Sequence, residues 1–529
     1  MPGVGSGGQL FKAGAPEGIV KLRYAPSCPA LRRGGLHGAD KALPVAGAEE
    51  DVRAERRGFG GVHLAPAAAE RRERIGVFAP ETAHGLARLA RAFGCDGAGI
   101  DDHGVRALPF GARRVAVALE KLLHRLGLVL VDLAAESGYN VLHRKTLLKG
   151  CMDMEIYLDN AATTRVCPEA ADAAYKVMTE VYGNPGSTHK LGREARAVLD
   201  DSRKKLAAAL GCAPKEVYFT SGGTEADNWA VFGTAKRMGK RGKHIVTTAI
   251  EHHAILNCMK DLESQGFSVT YLQPDSQGRI SVDVLKAALR KDTILVSVMM
   301  VNNEAGSVMP IQQMARLTHR LCPDAIFHTD AVQGFLKVPF SAKTLGADLI
   351  SVSSHKIHGP KGCGTLYISP RLKSFPALLQ GGGQEGGYRS GTEATPAIFG
   401  FAAACTALSA TFNADAAREK ALLSHAVSQL SKLDGLVVNG AHDAPHILSL
   451  SVPGVPTQNT INILQDHGIC VSAGSACAKG HRSHVLEAMG LPPEIMDGSF
   501  RVSLCRDTTA EELDTLVSVI REEIIPRAR

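Results

Sequence analysis

From Glu155 onward the chain alternates short apolar runs with longer segments in which apolar residues recur every three to four positions. The runs EVYFT (216–220), HIVTTAI (244–250), SVTYLQP (268–274), TILVSVMMV (293–301), AIFHTD (325–330), DLISVSS (348–354) and GTLYIS (364–369) are short and mostly rich in β-branched or aromatic residues. Such runs predict strands buried on both faces. Between them, residues 194–211, 283–291 and 312–321 carry the spacing of amphipathic helices. This alternation predicts an α/β fold with a large, mostly parallel sheet covered on both sides. From about residue 412 the order changes. A helix at 416–433, a strand at 446–452, a helix at 460–468, a strand at 501–505 and a closing helix at 509–524 predict a smaller α+β unit.

The first 150 residues have another texture. Residues 1–80 hold no sustained period of 2 or 3.6, and only 114–135 are patterned like a helix. The region carries 23 of the 55 glycines. These features predict a poorly structured extension over 1–153, outside the functional fold, with the working part starting at Met152 or Met154. The expected plan is then a large domain over 154–411, whose first dozen residues join the small domain, and a small C-terminal domain over 412–529. A truncation beginning at Met154 is expected to keep full activity.

Charge supports the same division. Residues 1–150 carry 22 Lys and Arg against 15 Asp and Glu, whereas 151–529 carry 38 of each. A neutral working part argues against a nucleic-acid enzyme with a basic face. No run of about 18 apolar residues predicts a membrane span, and the opening MPGVGSGGQLFK lacks the apolar core of a secretory signal. The 12 cysteines include no CxxC pair. They predict neither a disulfide framework nor a zinc ribbon, but free thiols in a reducing compartment, with a cytoplasmic location expected.

Four segments carry candidate chemistry. Ser353-Ser354-His355-Lys356 follows a predicted strand, and a lysine there can form a Schiff base if burial or a nearby cation lowers its pKa. Asp330, in His328-Thr329-Asp330-Ala331-Val332-Gln333, ends the preceding strand and can hold a proton on a pyridine nitrogen, or simply cap a helix. Ser221-Gly222-Gly223-Thr224-Glu225 turns from strand to helix and offers free backbone N–H groups to a phosphate; its glycine spacing is neither a Walker loop nor GxGxxG. Cys477 sits in a Gly/Ser-rich basic loop, Ser472 to His484, which predicts an exposed, movable thiol favoured as thiolate by Lys479, His481 and Arg482. Cys477, His481 and His484 lack an evident fourth zinc ligand, so no metal is expected. Glu251-His252-His253 and Asn302-Asn303-Glu304 end further strands, and an imidazole there can lie over a planar ring. All four ring- or phosphate-directed groups fall at carboxyl ends of strands, where open α/β sheets bind ligands. As a set they describe pyridoxal phosphate rather than NAD or ATP.

Residues 154–529 resemble the cysteine desulfurases, pyridoxal-phosphate enzymes of fold-type I in the class V aminotransferase superfamily. The resemblance rests on Tyr157 to Thr164, Gly183-Asn184-Pro185, Ser221 to Glu225, Glu251-His252, Asn302 to Glu304, Asp330 to Gln333, Ser353 to Lys356, Arg389 to Thr392 and Ser475-Ala476-Cys477. Residues 1–153 match nothing in that family. The resemblance implies that Lys356 links the cofactor, that Asp330 pairs with its ring nitrogen, and that Gln333 and Asn303 bond its 3-oxygen region. Gly223, Thr224, Ser353 and His355 would hold the phosphate, joined by Thr392 from a second subunit of a homodimer. His252 would stack on the ring and relay protons, and Arg501, with Asn184 nearby, would clamp the substrate carboxylate. The implied reaction converts L-cysteine to L-alanine and leaves a persulfide on Cys477 for a sulfur acceptor in iron–sulfur cluster assembly or thiolation. Competing readings are a selenocysteine lyase or other β-lyase, a class V aminotransferase, and a catalytically silent scaffold. The presence of Lys356, Asp330, His252 and Cys477 together stands against the last.

Overall fold

A computed structural model describes residues 155–474 and 482–528, together with a two-stranded antiparallel ladder, Ile100–Asp101 with Gly104–Val105. That ladder belongs to a compact unit, Met1–Arg144, and the rest to a second unit, Lys145–Arg529. The helix expected at 114–135 and the Cys477 segment, with His481, lie outside the described residues.

In the second unit the elements in chain order are β1 (Ile156–Tyr157), α1 (Pro168–Thr179), α2 (Lys190–Leu210), β2 (Val217–Thr220), α3 (Gly223–Met238), β3 (His244–Thr248), α4 (His253–Ser264) and β4 (Ser268–Leu272). They continue with α5 (Val282–Ala288), β5 (Thr293–Ser297), α6 (Ile311–Leu321), β6 (Ile326–Asp330), α7 (Ala342–Leu345), β7 (Leu349–Ser353) and β8 (Gly364–Ile368). The remainder is α8 (Thr395–Leu430), β9 (Val437–Asn439), β10 (Ile447–Ser451), α9 (Thr457–Asp466), β11 (Ile469–Cys470), α10 (His484–Ala488), α11 (Pro493–Asp497), β12 (Ser499–Ser503) and α12 (Ala510–Val519).

Seven strands form the main sheet in the order β2-β8-β7-β6-β5-β3-β4. Only β8 runs antiparallel to its neighbours, so the sheet is mostly parallel, as the sequence pattern predicts. Strands β3, β5, β6, β7 and β8 are buried along their whole length. Their sequences are therefore continuous apolar runs rather than alternations. Helix α6 buries Ile311, Met314, Ala315, Leu317 and Thr318, the single stripe that its spacing demands. Helix α2 stops at Gly211, whose φ of 67° suits a residue without Cβ.

A second, antiparallel sheet runs β9-β10-β12, and β1 pairs in parallel with β11. The first residues of the described chain thus lie beside late ones. Helix α8 is far longer than the expected 416–433 and runs straight through the expected boundary at 411/412. Ile398, Phe401, Ala402, Cys405 and Leu408 pack in the large core, whereas Leu423, Ala426 and Leu430 pack in the core of the small sheet. Its first half is long and apolar enough to cross a membrane by composition, but these residues are spent on the large core against α1 and α2.

Candidate active site

The parallel strands release their chains at one edge of the sheet, and a cavity of about 280 Å³ opens there. Ten of the predicted residues line it: Gly223, Thr224, His252, Asn303, Asp330, Gln333, Ser353, His355, Lys356 and Arg501. Gly474, the last described residue before the Cys477 segment, lines it too. Asn184 and Thr392 are exposed and do not line the cavity within one chain. Asn184 instead accepts the Gly186 N–H through its Oδ1 at 2.8 Å.

Lys356 follows β7 in a single turn of 3₁₀ helix, which swings its amine back over the sheet edge. Its Nζ donates to the carbonyl oxygens of Ala161 and Ala162 at 2.7 and 2.6 Å. Burial lowers its pKa to about 7, with Lys337 and Arg501 pushing the same way. At neutral pH a large share of this amine is therefore unprotonated, as a nucleophilic lysine must be.

Asp330 ends β6. Its Oδ1 accepts the Val332 N–H at 2.8 Å, and burial raises its pKa to about 6. Directly beside it, Asp227 of α3 is also buried; burial and the Asp330 charge push its carboxyl well up, and its Oδ1 has no partner. His328, two residues before Asp330 on β6, brings its Nε2 to 3.6 Å from Asp227 Oδ1. Its Nδ1 meets Ser297 Oγ at 2.9 Å and its Nε2 meets Ser351 Oγ at 3.0 Å, while burial lowers its pKa to about 3. A neutral imidazole brings no positive charge to these two buried acids, so ionising them calls for a cation from outside.

His252 caps α4: its Nδ1 accepts the Ala254 N–H at 3.1 Å. That bond places any proton of the neutral ring on Nε2. Burial, then Lys356, lowers its pKa to about 4. Behind it Glu251 is fully buried, accepts from Thr248 Oγ1 and the Met299 N–H, and is raised to about 8 by burial. His355 faces Thr163 Oγ1 through Nδ1 at 3.1 Å, and burial lowers it to about 4.

Arg501, on β12, is buried. It donates through Nη1 to the Asn303 carbonyl at 2.7 Å and through Nη2 to Asp159 Oδ1 at 2.9 Å, while Nε has no partner. An anchored guanidinium with an unused N–H is suited to a carboxylate.

Several working groups escape sequence reading. Asp227 shows one signal, an acid set among Ala226, Trp229 and Ala230 on the buried side of its helix. The carbonyls of Ala161 and Ala162 and the Asp159–Arg501 pair show none, because nothing local announces a contact across more than 190 residues.

These residues fit pyridoxal phosphate on three observations. Gln333 spends its Nε2 on the Ala161 carbonyl at 2.8 Å, and its buried Oε1 is left for a hydroxyl. A Cβ at Gly223 would lie 2.7 Å from Val332 Cγ2, so only glycine leaves this cradle open at the start of α3. The two carboxyls at Asp227 and Asp330 match a protonated ring nitrogen.

Comparison with known proteins agrees with this geometry. Residues 156–516 match the family "Aminotransferase class-V". The cysteine desulfurase IscS of Methanosarcina thermophila is 41% identical over 379 residues, covering 71% of this chain and 93% of that protein. The putative cysteine desulfurase IscS 1 of Bacillus subtilis is 43% identical over 377 residues, covering 70% and 98%. Among solved structures, a "NifS-like protein" superposes with a TM-score of 0.66 at 38% identity, covering 70% of this chain and 99% of that one. Another, "SspA in complex with cysteine", gives 0.59 at 31% identity, covering 67% and 99%.

Proposed function

The chain belongs to the class V aminotransferases and is a cysteine desulfurase of that family, and from that premise we propose how its own residues divide the work. The observation that carries the assignment is the buried Lys356 amine, drawn down to about 7 in a cavity shared with Asp330, His252 and Arg501. Pyridoxal phosphate, when bound, supplies an electron sink that stabilises negative charge on the substrate α-carbon. Asp330 would hold a proton on the ring nitrogen, with Asp227 buried beside it. Gln333 and Asn303 orient the ring edge; Gly223, Thr224, Ser353 and His355 hold the phosphate. Arg501 takes the carboxylate of L-cysteine through its unused N–H groups and so presents the Cα–H to Lys356. The Lys356 amine takes that proton and later returns one. His252, neutral and carrying its proton on Nε2, would serve the same proton traffic from the cavity wall.

The thiolate of Cys477 attacks the substrate sulfur. The S–S bond forms as the C–S bond breaks; the electron pair stays on carbon, which is protonated, and alanine leaves. The persulfide then serves a sulfur acceptor, such as a scaffold for iron–sulfur cluster assembly, in the cytoplasm. A homodimer completes the site: Thr392 is exposed, and α1 with the turn after it presents Tyr175, Met178 and Tyr182 at 64%, 58% and 67% exposure, an apolar face for a second subunit.

The test is sulfide and alanine release from L-cysteine by purified protein, with Cys477→Ser beside it. The variant should bind cofactor and cysteine yet form no persulfide, with the loss in kcat. Equal cysteine desulfuration by variant and parent would remove Cys477 from the reaction and favour a lyase.

A further inference from the structure

Outside the residues that line the cavity, a second group of side chains converges, with no part in the reaction above. His358, Cys505 and Asp507 each bring one ligand atom within 4.8 Å of the others. His358 lies two residues after Lys356, and Cys505 four residues after Arg501. From these residues the structure assigns a zinc site: His358 Nε2, Cys505 Sγ and an Asp507 carboxylate oxygen, with water as fourth ligand.

The surroundings are those of a built metal site. His358 is 5% exposed and held at a φ of 60°, an uncommon conformation for a residue with a side chain. Its N–H donates to Thr164 Oγ1 at 2.7 Å, and its carbonyl accepts the Cys167 N–H at 2.9 Å. Its Nδ1 donates to the Arg165 carbonyl at 2.9 Å. A carbonyl on Nδ1 fixes the tautomer and leaves the Nε2 lone pair for a metal, the outer partner that ligating histidines almost always have. Cys505 is a free thiol. Its sulfur faces the Thr508 hydroxyl at 3.9 Å and the Asp507 N–H, and its own N–H is tied to Thr508 Oγ1 at 3.0 Å. Such donors stabilise a sulfur that carries charge.

One nitrogen, one sulfur and one carboxylate oxygen suit tetrahedral Zn²⁺ with an open position. In such a site ligand atoms stand roughly 3.3–3.8 Å apart. The Asp507 side chain is 69% exposed, and its ion pair with Arg506 is loose at 3.8 Å, so this ligand is free to adjust to an ion. A bound ion would tie the loop carrying Lys356 to the end of the strand carrying Arg501.

The experiment uses holoenzyme carrying Cys477→Ser, which removes the other thiol suited to metal. Loaded with Zn²⁺ and passed through gel filtration, it should retain about one zinc per chain. Adding Cys505→Ala should abolish retention. Adding Asp507→Asn, an exposed change, should weaken binding at least tenfold, and Thr508→Val about tenfold. With Co²⁺, a thiolate charge-transfer band should appear in the difference spectrum and vanish with Cys505→Ala. Absence of retained zinc in the Cys477→Ser protein would overturn the site, as would retention unchanged by either Cys505→Ala or Asp507→Asn.

Discussion

Asp330 and Asp348 lie at opposite ends of neighbouring strands in one sheet, both buried, 6% and 1% exposed. At the amino end of β7, burial opposes the Asp348 charge, but four donors prevail. Arg371 forks onto it through Nε and Nη2 at 2.6 Å each, His319 Nε2 lies at 2.9 Å, and the Phe327 N–H donates at 2.8 Å. Its carboxyl is held below the usual range. At the carboxyl end of β6, Asp330 has one backbone N–H and a second buried acid, Asp227, beside it, and burial pushes it up. The two residues are the same and the burial nearly so. What differs is whether the protein itself completes the carboxylate's partners or leaves them to a ligand. One end of the sheet is finished as structure and the other is held open for chemistry.

The largest effect should come from the open end. Lys356→Ala should abolish turnover and the visible absorbance of bound cofactor, measured on the purified protein; a variant that still released sulfide from cysteine would remove Lys356 from the chemistry. Asp330→Asn should lower kcat by about 10²–10³, the size of one lost preorganised electrostatic contact. Its apoprotein should nevertheless gain stability. The folded pKa of about 6 exceeds the unfolded value near 3.9, so ionised Asp330 is a cost that grows with pH between the two and is full above about 6. The gain in urea midpoint should therefore be larger at pH 8 than at pH 5, and a loss at pH 8 would break the contrast.

Asp348→Ala should do the reverse. It strands the Arg371 charge and the Phe327 N–H and should cost about 3 kcal/mol in urea unfolding, the low end for a broken buried pair because Arg371 reaches solvent. Turnover per folded molecule should be unchanged. The Asp348 contribution is present above the unfolded pKa and is lost as pH falls through the lowered folded value, so parent and variant should converge in acid. A smaller effect sharpens the open end: the rate at which apoprotein takes up pyridoxal phosphate should rise with pH and level off above about 7, as the Lys356 amine loses its proton. Smallest, His319→Gln should cost about 1 kcal/mol at the finished end and leave kcat alone.

The seven strands of the main sheet were legible almost residue for residue, because burial on both faces forces continuous apolar runs. Where the reading overran, pairing was lost on one side first. Past Ser297 the run 293–301 still bonds β6, through the Val298 N–H to the His328 carbonyl and the Met300 N–H to the Asp330 carbonyl, while the Met299 N–H goes to Glu251 Oε1. The first half of α8 was missed because small residues, Gly400, Ala402, Ala404 and Cys405, are interleaved with the buried Ile398, Phe401 and Leu408 and blur the helical stripe. Gly400 sits where a Cβ would come 2.6 Å from Pro360 Cγ and 2.8 Å from the Ala170 carbonyl, so the backbones pack closely there. β1 and β11, at two residues each, are too short to show any period.

Of the ten predicted residues that line the cavity, those in the Lys356, Asp330, Gly223 and His252 segments were reachable from chemistry and strand ends, whereas the roles of Asn303, Gln333 and Arg501 came from the family resemblance. A Schiff-base lysine, a ring-pairing aspartate and a glycine cradle each follow a strand, and a parallel sheet delivers all strand ends to one edge. That much the amino-acid order determined alone. Only the folded chain decided that Asp227 would stand against Asp330, that Asp159 would anchor Arg501 across 342 positions, and that the Lys356 amine would lose its proton near neutrality. Desolvation and charge pairing are sums over everything within a few ångströms, and those neighbours come from segments with no local relation in the sequence.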